Sequence, residues 1–131
     1  MFRLVKVLNG YTQGDVQLLK HNKSYGLPPG GVAIAYTNQA ISTPAAAAKP
    51  DYITLATSHR LNSPRLNAML VTENMIFKVE YTGNATPTVG MSVGLASSGT
   101  NMDSVTYNSN GKGTIIGIER DTGLVYVRFS K

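Results

Sequence analysis

The sequence contains no cysteine and no tryptophan. Without thiols there is neither a disulfide framework nor a thiolate metal site, so the fold must rest on a hydrophobic core or on contacts between copies. Their absence suits a reducing cytosol. Charge is scarce as well. Asp, Glu, Lys and Arg make up 15% of the 131 residues, where an ordinary domain carries about 25%. Ser, Thr, Asn and Gly must then cover much of the surface, a composition that suits packing into large assemblies. Only seven residues are acidic, scattered as Asp15, Asp51, Glu73, Glu80, Asp103, Glu119 and Asp121. No spaced pair among them suggests the shared-proton chemistry of two neighbouring carboxylates. No apolar run approaches the roughly 18 residues of a membrane span, and Met1 to Lys6 lack the apolar stretch of a signal peptide. No stretch keeps a helical period over three turns.

Twelve basic residues against seven acidic ones give a net charge of +5. The cations are spread thinly, whereas nucleic-acid binders gather them on one stripe. The pattern describes a mildly basic, soluble surface; a docking preference for an acidic partner is the alternative.

What remains is a succession of short strands. Phe2 to Leu8 is apolar and β-branched, interrupted by Arg3 and Lys6. Residues 9–31, with Pro28-Pro29 and several glycines, read as irregular chain, with Val16 to Leu19 a brief strand or helical turn. Val32 to Tyr36 predicts a strand with a hairpin partner at Ala40 to Thr43, across Thr37-Asn38-Gln39. The alanines between Pro44 and Pro50 are too few for a stable helix and read as a loop or single turn. Further strands are expected at Asp51 to Ala56, Arg65 to Val71, Met75 to Tyr81 and Val89 to Leu95. Met75, Phe77, Val79 and Tyr81 alternate with Ile76, Lys78 and Glu80, a clear period of two. Val105 to Tyr107 and Thr114 to Ile118 flank Asn110-Gly111, which predicts a hairpin. Glu119 to Gly123 turns the chain into a last strand, Leu124 to Phe129, with Gly123 at a left-handed position. The expectation is an all-β single domain, a small sandwich or barrel of about eight or nine short strands. Residues 1–31 would form an extended N-terminal arm and loop, and residues 32–131 the β domain.

Several short motifs carry chemistry elsewhere. Asp121-Thr122-Gly123 matches the aspartic-protease triplet but lies at a charged hairpin tip, between Arg120 and Leu124. Gly111-Lys112-Gly113-Thr114 hints at a phosphate loop, yet Gly113 separates Lys from Thr and a strand follows. His21 and His59 have no acidic or histidine neighbour at ligand spacing and read as surface or loop residues. Ser58-His59 cannot face one another in a strand. The sequons Asn22-Lys23-Ser24 and Asn84-Ala85-Thr86 read as chance matches. No catalytic residue, cofactor or metal is expected. Seven tyrosines and three phenylalanines read as core or interface packing; stacking platforms for single-stranded nucleic acid are the alternative.

Two stretches carry a family likeness: Lys49-Pro50-Asp51-Tyr52-Ile53-Thr54-Leu55-Ala56, and Arg65 through Val79 with its Leu70-Val71-Thr72-Glu73-Asn74-Met75 centre. Together with Val89 to Leu95, Gly113 to Ile118 and Val125-Tyr126-Val127-Arg128-Phe129, they resemble the capsid decoration, or head-stabilising, proteins of tailed bacteriophages. The resemblance covers roughly residues 49–131 and transfers no catalytic residue. It implies a β-rich virion protein, made in the host cytoplasm, that sits on the capsid exterior as a homo-oligomer, a trimer by preference. There it would clamp neighbouring subunits of the major capsid protein. Alternatives are another virion component (head-tail completion, tail or fibre base) or a single-strand-binding barrel. On the decoration reading no membrane and no direct nucleic-acid contact is expected. Docking is expected through the basic and apolar N-terminal segment: Phe2, Arg3, Leu4, Val5, Lys6, Lys20 and Lys23.

Overall fold

A computed structural model describes residues 1–8, 15–21, 27–55, 65–97 and 99–131. Among them are eleven strands and no helix, hence no helix long and apolar enough to cross a membrane. In chain order they are β1 (Arg3–Val7), β2 (Val16–Lys20), β3 (Ala33–Thr37), β4 (Ala40–Ser42), β5 (Tyr52–Thr54), β6 (Arg65–Leu70), β7 (Met75–Thr82), β8 (Ser92–Ser97), β9 (Met102–Tyr107), β10 (Gly113–Glu119) and β11 (Leu124–Phe129).

Five of these close a barrel. β7 pairs with β11, β11 with β10, β10 with β8 and β8 with β9, all antiparallel. β9 returns to β7 in parallel through Glu80↔Ser104, Tyr81↔Val105 and Thr82↔Thr106. Parallel neighbours need a crossover connection, and here β8 itself is the crossover. The inward-facing alternation supplies the core. Met75, Phe77 and Val79 of β7 and Val125, Val127 and Phe129 of β11 are buried, with Val93, Leu95, Val105 and Ile115 from the other strands.

Of the segment expected as an arm, residues 1–8 are built into this sheet. β1 pairs antiparallel with β7, occupying the half of its edge that β9 leaves open. Phe2 is 3% exposed and packs against Phe77 and Phe129, with ring centroids 6.2 and 6.0 Å away. Aromatic groups in such tilted and edge-to-face contact add to the stabilisation from burial alone.

A second layer branches from β9. Ala33 of β3 pairs with Met102, and the order continues β3, β5, β6, β2, with β4 hairpinned onto β3. Ala33, Ile53 and Met69 face the barrel core; Ile34, Leu66 and Ala68 face the other way, into a smaller cluster with Leu19 and Val32. Thr54 locks the layer internally: its hydroxyl accepts the Val32 N–H at 2.9 Å and donates to the Pro29 carbonyl at 2.6 Å.

The hairpin expected around Asn110-Gly111 does not form. β9 and β10 are not partners, because β8 lies between them and pairs with both. The turn itself exists, with the Gly111 N–H donating to Asn108 O at 3.0 Å, but it carries the chain across the end of β8. Glycine is required there by proximity: a Cβ on Gly111 would lie 2.0 Å from the Val93 carbonyl oxygen. The β10–β11 hairpin forms as expected, with Gly123 at φ +72°. The alanine segment makes one turn, Ala48 N–H to Ala45 O at 3.0 Å, and its Ala46 carbonyl accepts the Leu95 N–H of β8 at 2.7 Å.

Candidate docking surfaces

The expected docking residues fall into two groups on separate strands. The first lies on the outer face of the barrel. The β1–β7 register places Arg3 opposite Lys78 and Lys6 opposite Ile76. Residues three apart in a regular strand point to opposite faces. A register shift between Leu4 and Lys6 leaves Val5 as an extra residue, so Arg3 and Lys6 both point outward while Leu4 and Val7 pack on the core. The adjacent strand continues the face, with Tyr126 opposite Lys78 and Arg128 opposite Ile76. Four cations, Arg3, Lys6, Lys78 and Arg128, thus share one surface of three strands, interleaved with Ile76 and Tyr126. Val5 adds a side chain that is 51% exposed.

Local pairing decides which of these charges are available. Glu119 Oε2 lies 2.8 Å from Lys78 Nζ and accepts the Tyr126 hydroxyl at 3.1 Å. The hydrogen bond with Lys78 holds the Glu119 carboxyl below its usual range and holds Lys78 above its own. Arg128 Nε donates to the Glu73 carbonyl at 2.5 Å, which fixes the guanidinium over the end of β7. Burial pushes the Glu80 carboxyl up, but the Met1 ammonium, a backbone hydrogen bond and the Arg3 charge together hold it below the usual range. Arg3 and Lys6 make no ion pair with a carboxylate among the described residues. A depression of about 290 Å³, lined by Glu73, Thr114, Ile116 and Arg128, borders this face.

The second group lies on the β2–β6 ribbon. Lys20 stands directly opposite Arg65 in the register, far along the sheet from β1. Lys23 lies outside the described residues. Phe2 and Leu4 belong to the core or its margin. Phe2 therefore has no surface to offer a partner, and of the six described docking residues Arg3, Val5, Lys6 and Lys20 are the exposed ones.

The remaining motifs resolve as local structure. Asp121-Thr122-Gly123 is the tip of the β10–β11 hairpin, with the Thr122 hydroxyl 3.1 Å from Glu119 Oε1. Lys112 and Gly113 carry the chain from the crossing turn into β10, with the Lys112 N–H donating to Ala47 O at 3.0 Å. His21, read as a surface or loop residue, lies outside the strands just after β2 and is buried there: its Nδ1 accepts the Ile41 N–H of β4 at 3.3 Å. His59 and Ser58 lie outside the described residues. No group of three or more His, Cys, Asp or Glu side chains is placed to hold a metal among the described residues.

Lys78 and Arg128 fall in two segments read as strands, and the structure turns both outward. What the sequence did not show is that β7 and β11 are neighbours, which brings both beside β1. Compared with protein-family models, curated proteins and solved structures, the chain matches none.

Proposed function

We propose that this chain is a structural protein of a tailed-bacteriophage head. It binds the outer surface of the capsid and strengthens contacts between major capsid subunits, its own copies associating as a trimer. The observation that carries this reading is the barrel face on which Arg3 and Lys6 stand beside Lys78 and Arg128. A basic, partly apolar face held on a closed barrel loses little conformational freedom on docking, and its charge selects an acidic partner surface. The likeness of residues 49–131 to head-stabilising proteins gives that partner an identity. A protein that binds only the assembled shell stabilises it by mass action.

The test is co-sedimentation with shells assembled from the major capsid protein of the same genome, before and after expansion. The chain should pellet with expanded shells and raise the temperature at which they open. The double variant Arg3→Glu, Lys6→Glu should fold normally and pellet several-fold less. Location of the chain at the neck or tail of virions would refute the head reading. Salt-sensitive binding to a single-stranded oligonucleotide, with shells ignored, would replace it by a nucleic-acid one.

A further inference from the structure

The β2–β6 ribbon has a chemistry that the barrel face does not explain. β2 ends the strand order, and among the described residues its one strand neighbour is β6. The Leu70 N–H donates to the Asp15 carbonyl at 2.9 Å, so the backbone pairs bonded to β6 are those of Asp15, Gln17 and Leu19. By the alternation of an antiparallel ladder, the N–H and C=O groups of Val16, Leu18 and Lys20 point away from β6. Of these, the Lys20 carbonyl already accepts the Tyr36 hydroxyl at 2.5 Å. The same three residues carry exposed side chains, with Val16 51% and Leu18 56% accessible. Unpaired strand edges are usually blunted by a charged side chain, proline, a bulge or a short length, and here Lys20 at one end is the one such charge. β2 has five residues, no proline and no register break against β6.

Charge narrows the occupant. Lys20 and Arg65 are cross-strand opposites, an arrangement that repels on its own. All seven carboxylate side chains of the sequence lie among the described residues, and no ion pair joins any of them to Lys20 or Arg65. The nearest acid on β2's own segment, Asp15, lies at the opposite end of the strand, where it accepts from Gln17 Nε2 at 3.1 Å. A charge that would relieve the pair must come from another molecule.

We infer that β2 is an acceptor edge for an extended segment of a partner protein, which adds as an antiparallel strand and brings a carboxylate to Lys20 and Arg65. Main-chain bonds at Val16 and Leu18 supply affinity, and alternate side chains supply selection. The register dictates the pattern: an acid opposite Lys20, then an apolar residue two positions on, opposite Leu18, and another two further, opposite Val16. The partner motif is thus acid-x-apolar-x-apolar. This inference does not rest on the head reading, since the ribbon and the barrel face use different strands.

The probe is a capped peptide of sequence SGDTVTVGS, titrated into the full-length protein and followed by backbone amide resonances. Shifts should centre on Val16, Leu18 and Lys20, with millimolar saturation. Exchanging the Asp for Lys should weaken binding by about tenfold, and the variant Lys20→Glu, Arg65→Glu should invert that preference. Leu18→Pro removes an outward N–H, a change that edge strands accept; it should abolish binding while the β6 amides keep their positions. Equal affinity for the two peptides, shifts centred on β1 and β7, or no shift up to roughly 10 mM overturns the inference. So does a dimer of the free protein that Leu18→Pro dissociates, because the edge would then belong to a second copy.

Discussion

Asn38 and Gln39 both adopt positive φ, 52° and 60°, in the two-residue turn that joins β3 to β4. That is the mirror-image turn whose twist matches its flanking strands, and its second position favours glycine. Asparagine tolerates the left-handed region because its short polar side chain bonds locally; glutamine has no such excuse, and the conformation costs an L-residue about 1–2 kcal/mol. The hairpin holds Ile41, whose N–H is the partner of the buried His21, so the strain is borne by a turn that satisfies a core histidine. Gln39→Gly should stabilise the protein by about 0.5–1 kcal/mol, the relieved strain being partly offset by the greater freedom of glycine in the unfolded chain. The measurement is a urea midpoint that rises with an unchanged slope. A lower midpoint would mean that the Gln39 side chain makes a contact worth more than the strain.

At the scale of the element, β1 shows how one residue sorts a strand. The extra residue at Val5 turns the Arg3–Val7 segment so that its cations face out together and Leu4 and Val7 face in. Phe2, at the point where the edge of β7 passes from β1 to β9, completes the trio with Phe77 and Phe129. Phe2→Ala should therefore cost about 3–5 kcal/mol, the range for emptying an aromatic site in a packed core, with chemical denaturation as the readout. A cost below about 1 kcal/mol, the scale of a surface substitution, would return the segment to the status of a detachable arm.

The same element marks what could be read from sequence. The alternation of Met75, Phe77, Val79 and Tyr81 against Ile76, Lys78 and Glu80 located a strand whose first three odd members are buried, because period two is a local property. The bulge was not legible, since nothing in Arg3 to Lys6 other than the spacing of its two cations signals it. The Asn110-Gly111 turn misled for a related reason. A turn signal fixes how the chain reverses, not which strand lies beside it afterwards, and β8 takes the place that the shortest hairpin would have filled. The cationic face depended on such non-local neighbours throughout.

The whole molecule has two hydrophobic clusters that share a wall. β3, β5 and β6 place alternate residues in each: Ala33, Ile53 and Met69 toward the barrel, Ile34, Tyr52, Leu66 and Ala68 toward the smaller cluster. Removing the second layer would uncover the first, and losing the barrel would leave β3 without β9. The two clusters should therefore melt together. Tyr36 and Tyr52, in edge-to-face contact at 6.0 Å, report on the small cluster through near-ultraviolet dichroism in a variant whose other five tyrosines are phenylalanine. The far-ultraviolet signal reports on the strands as a whole, and the two transitions should coincide. Leu66→Ala, at a site with no solvent exposure in the small cluster, should lower both midpoints together by the equivalent of about 2–5 kcal/mol. An earlier tyrosine transition, with the strand signal intact and only the first moved by Leu66→Ala, would show that the second layer opens by itself as a separate unit.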